Sequence, residues 1–260
     1  MFDTITVETD PRGISRLTLA RPEKHNALSE LMMREITQAI QELGADEGVR
    51  AVILAAQGRS FCAGGDLKWM QAQMDASPEA RADAARVLAG MLNALNTCPK
   101  PLIGAVQGNA FGGGIGMMSV CDVTIGVAQA RFGLTETRLG LIPATIAPYV
   151  IARMGEARAR RVFMSARIFD AAEAVDLGLL ARVVAPEALE AEALAEAEPY
   201  LACAPGAVAD SKALLRRLGP RIDASVIETT IEALVGRWQS PESQEGIAAF
   251  FDKRDPAWKI

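Results

Sequence analysis

Apolar and polar positions follow two different periods along this chain. TITVE and SRLTLA read as a pair of strands joined by the turn DPRG at residues 10–13. Past RPEKHNA the period lengthens, and Met32, Ile36, Ile40 and Leu43 recur at helical spacing. Ser29 is placed to cap that helix and Gly44 to end it. AVILAA (51–56) is a short apolar strand, and QGRSFCAGGD after it reads as a loop. SPEARADAARVLAGMLNALN predicts a long helix, with Ser77 as cap and Pro78 at the first helical position. PLIGAV (101–106) is another buried strand, and DVTIGV (122–127) follows an intervening glycine run. Strand, loop and helix in alternation predict α/β layering, not a sandwich or a bundle.

Beyond about residue 185 the pattern changes. The chain becomes rich in Ala, Glu and Leu, with no strand-like run. Two regions are expected: an α/β core over 1–195 and a helical C-terminal region over 196–260. No periodic repeat or low-complexity linker separates them.

Composition narrows the function. Half the residues are hydrophobic and 23% are charged, the profile of a globular protein with a sizeable core. A net charge of −5 and the lack of any Lys/Arg run argue against a nucleic-acid partner. Cys62, Cys98, Cys121 and Cys203 lack metal-ligand or disulfide-framework spacing, and His25 is the sole histidine, so no metal is expected. MFDTITVET carries no basic and apolar leader, and no apolar run approaches 18 residues. A cytoplasmic protein without a membrane span is the expectation.

The candidate chemistry sits in GNAFGGGIGMMSVCD, residues 108–122, with five glycines in nine positions. A P-loop would need Lys-Ser/Thr after the glycines, and a dinucleotide fingerprint would need glycine at 117 or 119, where Met117 and Ser119 stand. What remains is a strand-to-helix junction stripped of side chains. Its first N–H groups are unpaired and carry the positive end of the helix dipole. SFCAGGDL (60–67) repeats the device after AVILAA, with Asp66 placed to cap the next helix. Two such junctions on neighbouring strands could aim two backbone N–H groups at one oxygen, as an oxyanion hole. The competing reading is a pair of tight turns where the chain packs closely.

HNALS, SFCAGGDL, GNAFGGGIG, FGLTETRLGLIP, AAEAVDLGLLARVV (171–184) and GIAAFFDKRDPAW (246–258) resemble, in order and spacing, the enoyl-CoA hydratase/isomerase (crotonase) superfamily over essentially the whole chain. The resemblance implies a crotonase-type spiral of ββα units with a helical C-terminal oligomerisation region, as a trimer or a dimer of trimers. It implies an acyl-CoA thioester substrate and no cofactor, coenzyme A being part of the substrate. The thioester carbonyl is expected on the N–H groups of Ala63 and Gly113, with Glu136 moving the proton. Coenzyme A is expected along Lys24, His25 and Ala27, along Ala63, Gly64, Gly65, Asp66 and Leu67, and on Phe250 and Lys253, which reach a neighbouring subunit's ligand.

One departure matters. Hydratases of this family typically carry a second glutamate 20 residues before the first, and that position here is Gly116. Three readings stay open: a hydratase working through Glu136 alone or with another polar group, a 3,2-enoyl-CoA isomerase using Glu136 as shuttle, and a binder of CoA esters without turnover. IPATIAP in place of a glycine-rich continuation is similar to bacterial hydratases of methylglutaconyl-CoA type. Arg138 could then pair a carboxylate on the acyl tail.

Overall fold

A computed structural model describes residues 2–260. The chain opens as expected with the antiparallel hairpin β1 (Ile5–Thr9) and β2 (Ile14–Leu19). Helix α1 (Glu30–Ala45) starts on Ser29, whose side chain accepts from the Met32 N–H. Gly44 does not end α1. It lies within the last turn, where a Cβ would stand 3.1 Å from Pro99 Cδ, and the helix stops at Asp46, whose backbone is extended. Glycine there serves packing against the next loop.

A strand–strand–helix unit then repeats, lengthened by further helical pieces in its first and third copies. β3 (Ala51–Ala56) leads to β4 (Ser60–Cys62), α2 (Leu67–Met74) and α3 (Pro78–Thr97). β5 (Leu102–Val106) leads to β6 (Asn109–Phe111) and α4 (Gly113–Val120). β7 (Val123–Val127) leads to β8 (Arg131–Gly133), a 3-10 turn at Glu136–Leu139, α5 (Ala147–Met154) and α6 (Glu156–Phe163). In each unit the longer strand joins one sheet and the short strand another. The first sheet runs β1-β2-β3-β5-β7-β10, parallel except at β1; the second runs β4-β6-β8-β9. This is the ββα spiral. Its closing pieces are β9 (Phe169–Asp170), α7 (Ala171–Asp176) and β10 (Arg182–Val184).

QGRSFCAGGD is therefore not wholly a loop, since β4 occupies its middle. The remaining chain is helical: α8 (Leu189–Ala197), α9 (Pro205–Leu218), α10 (Ala224–Trp238) and α11 (Pro241–Phe251). The boundary expected at 195/196 falls inside α8, whose Leu189, Ala193 and Ala197 belong to the main core. α9 leaves Leu214, Leu215 and Leu218 more than half exposed. Among the described residues no helix is long and apolar enough to cross a membrane.

One main core fills the space between the large sheet and α1, α3, α4, α5 and α8. A second, smaller cluster matters more for the site. Leu141, Trp238 and Ile247 are buried together, with Met74, Leu139, Leu234 and Phe251 packed on them. Each fully buried side chain of this kind contributes roughly 1.5–3 kcal/mol. That cluster fastens α10 and α11 onto the turn that carries Glu136.

Candidate active site

β4 and β6 are parallel neighbours, so the two glycine junctions lie side by side. At the first, the loop from HNALS is stitched to the strand end. Leu28 N–H donates to Gly64 O (2.8 Å), and Asp66 N–H donates to Leu28 O (3.0 Å). Asn26, fully buried at φ 52°, donates through Nδ2 to Gln57 O and Ser60 O. Asp66 caps α2 by accepting from Lys68 N–H (2.9 Å), and its other oxygen accepts from Arg21 (3.0 Å). Burial pushes the Asp66 carboxyl up, but the Arg21 and Lys68 bonds outweigh it, and its pKa is lowered overall. The capping role read from the sequence is what this carboxylate does.

This register decides which amides are free. Ala63 N–H already donates to His25 O at 3.0 Å. Ala63 is therefore not a free donor, contrary to expectation, because the HNALS loop pairs with it directly. Gly64 and Gly65 follow on the same wall, and neither N–H has an acceptor among the described residues; the bridge to Leu28 bonds through Gly64 O and Asp66 N–H and so turns the Gly65 N–H away from the HNALS loop. At the second junction Gly112 N–H donates to Gly133 O (3.1 Å). Gly113 is the first residue of α4, where helix geometry provides no partner, and it too lines the cavity.

The three consecutive glycines have three separate reasons. Gly112 adopts φ 48°, ψ −113°, and a Cβ there would stand 2.8 Å from Glu136 Oε1. A Cβ at Gly113 would meet Leu28 Cδ1 at 2.5 Å, and one at Gly114 would meet Cys62 O at 2.9 Å. Close packing and an accessible helix start are thus one feature, not alternatives.

Glu136 begins the 3-10 turn and lines the same cavity of about 460 Å³ as Gly65 and Gly113. Its Oε2 is sealed from solvent and has no hydrogen-bond partner. Burial pushes its pKa up to about 7, against 4.5 in water. Around it the wall is largely apolar: Leu28, Met33, Leu88, Ile142, Ile146 and Trp238 among others. The turn is held from outside. Gly140, left-handed at φ 69°, closes it, and Arg237 of α10 donates to Gly140 O through Nε (3.0 Å) and a terminal nitrogen (2.6 Å).

Gly116 faces no water. A Cβ there would stand 2.7 Å from Ile146 Cγ2 and 3.4 Å from Leu92 Cδ2, so hydrocarbon fills the place where a side chain would begin. The remaining expected residues divide. Leu67 and Phe250 line the cavity, so Phe250 faces this chain's own pocket. Lys24 is exposed. Ala27 is buried, and its carbonyl accepts from Arg21. Lys253 is exposed at φ 55°, away from the cavity lining. His25, at φ 52°, is half-buried, its Nδ1 within 3.0 Å of Ser60 Oγ and its Nε2 within 3.0 Å of Arg59. Burial pushes the Cys62 and Cys121 thiols up to about 12, which fits their reading as inert core residues.

Sequence reading missed Gly65 as a free amide, Thr145 and Ile146 in the wall, and Arg237 behind the turn. Only the departure at IPATIAP pointed to any of them.

The chain belongs to the enoyl-CoA hydratase/isomerase family, whose model matches residues 9–260. A Rhizobium meliloti (strain 1021) protein named "Probable enoyl-CoA hydratase" is 35% identical over 266 residues, covering 99% of this chain and 98% of the relative. Among solved structures, an enoyl-CoA hydratase from Shewanella pealeana ATCC 700345 is 36% identical, with a TM-score of 0.82 and 99% and 97% of the two chains covered. Pseudomonas aeruginosa AtuE is also 36% identical, with a TM-score of 0.80 over 98% of this chain and 99% of its own.

Proposed function

We propose that this protein adds water across the 2,3 double bond of an enoyl-CoA thioester. The observation that carries the reading is the place of Glu136. Its carboxylate lies against Gly112, directly beside the free amide of Gly113, in a largely apolar cavity.

In the proposed cycle the thioester oxygen accepts from the Gly65 and Gly113 N–H groups. Glu136 takes a proton from water as the water oxygen bonds to C3. The π electrons move onto the thioester as an enolate, which the two amides stabilise. Glu136 then returns the proton to C2, and the carbonyl re-forms. Atoms and charge balance over one addition of water. A carboxyl titrating at about 7 suits both halves, because it is neither fully ionised nor fully protonated near neutrality. Arg138 lines the cavity two residues beyond Glu136 and has no ion pair among the described residues. It is our assigned partner for a carboxylate on the acyl tail, as in a glutaconyl-type substrate.

A second reading draws on the single carboxylate. The same residue could remove a C2 proton from a 3-enoyl ester and return it at C4, giving the 2-enoyl isomer. Turnover of 2-enoyl-CoA and 3-enoyl-CoA by wild type and Glu136→Gln separates the two. Hydration of the 2-enoyl ester that is lost in the variant supports the proposal; isomerisation alone contradicts it.

A further inference from the structure

The puzzle left by the site is how one carboxylate manages an attacking water. Water placed for attack gives one proton to Glu136. Its second O–H, pointing into an apolar wall, needs an acceptor, since an unpaired buried polar group is unfavourable. Gly116 leaves no carboxylate to provide one, and Ile146 fills that space.

The cavity lining contains few other hydrogen-bonding side chains: Trp69, Trp238, Thr135, Arg138 and Thr145. Trp and Arg can only donate. Thr135 is half-buried and leaves no sealed, unpartnered atom. Thr145 is different. It is 2% exposed, it lines the cavity, and its Oγ1 is buried with no hydrogen-bond partner. A hydroxyl both donates and accepts. Thr145 also directly precedes Ile146, the residue packed on Gly116, while Glu136 packs on Gly112. Gly112 and Gly116 are one turn of α4 apart, about 6 Å along its axis. The two unpartnered oxygens, Glu136 Oε2 and Thr145 Oγ1, thus belong to segments that flank successive turns of one helix face.

We infer that the Thr145 hydroxyl holds the attacking water for Glu136, taking the orienting part that a second carboxylate at 116 would have. The inference rests on the hydratase reading. Thr145 accepts the O–H that is not transferred, and it makes no contribution to proton exchange at C2, where water only renews the proton on Glu136 and does not attack carbon. Hydration and exchange therefore separate at this residue.

The test compares wild type, Thr145→Val, Thr145→Ser and Thr145→Ala. Hydration is read with crotonyl-CoA, and Glu136-dependent exchange with butyryl-CoA in D2O, by deuterium uptake at C2. Thr145→Val is expected to lower hydration kcat about 10- to 100-fold, the worth of a hydrogen bond to a charged or reacting group. KM and the exchange rate stay within threefold, and Thr145→Ser recovers hydration to within about fivefold of wild type. The Ser and Ala pair, differing only by the hydroxyl, repeats the comparison without the β-branch. Hydration by Thr145→Val at the wild-type rate overturns this inference alone, as does an equal fall of hydration and exchange in both Val and Ala variants. A wild type that exchanges but never hydrates overturns the hydratase reading, and this inference with it.

Discussion

Glu136→Gln should stabilise the fold while abolishing activity, and the gain should depend on pH. The Glu136 carboxyl titrates near 4.5 in water and at about 7 in its sealed site. Between those values the unfolded chain is ionised there and the native chain still holds the proton. Native protein then binds more protons than unfolded, so stability falls as pH rises, by about 1.4 kcal/mol per pH unit. The contribution is intact below pH 4.5, declines across the interval, and is gone above about 7, a total of about 3 kcal/mol. Gln keeps the shape and removes the titration. Thermal unfolding of both proteins from pH 4.5 to 8 would show nearly equal Tm at the acid end and a gap that widens to roughly 6–10 °C at pH 8. A gap that stays constant with pH would refute the assignment of a strongly desolvated carboxyl at 136.

Other consequences are equally direct. Gly65→Pro removes the proposed amide donor and should lower kcat by about 10²- to 10³-fold, while Gly65→Ala, whose Cβ would find ordinary contact at 3.5 Å from Met70, should stay within a few-fold of wild type in the same steady-state assay. The pH profile of kcat/KM for 2-enoyl-CoA should rise to a plateau with a midpoint at about 7, because the free enzyme's Glu136 must be ionised to accept a proton; a midpoint near 4.5 would contradict burial as the cause. Gly116→Ala should cost about 1–3 kcal/mol in urea unfolding through overlap with Ile146, and the added change Ile146→Ala should recover part of it. Arg237→Ala leaves Gly140 O without its two bonds, so kcat should fall several-fold with KM little changed, and Arg237→Lys should restore only part of it.

What was legible in the sequence follows a physical rule. Elements with their own period or caps were readable: β3 and β5 as apolar runs, α1 from Ser29, α3 from Ser77 and Pro78. The three-residue strands β4, β6 and β8 were not, since three residues carry no period and their pairing comes from parallel neighbours far along the chain. Gly44 misled because its absent side chain serves Pro99 and not a helix end. At the site, the glycine run was legible from its own residues, and Glu136 through the family that its motif resembles. The choice among the amides of the AGG turn was not, because His25 O engages the Ala63 N–H while the bridge with Leu28 leaves the Gly65 N–H unpaired. Nor could sequence show that Ile146 fills the space over Gly116, since nothing local links residues 30 positions apart.

The most direct test is a crystal structure with a non-hydratable acyl-CoA thioester bound. The thioester oxygen is predicted to lie about 2.7–3.1 Å from the backbone nitrogens of both Gly65 and Gly113, with the Glu136 carboxylate beside C2 and C3. An oxygen held instead by Ala63 N–H, or an acyl chain bound away from Glu136, would contradict the account.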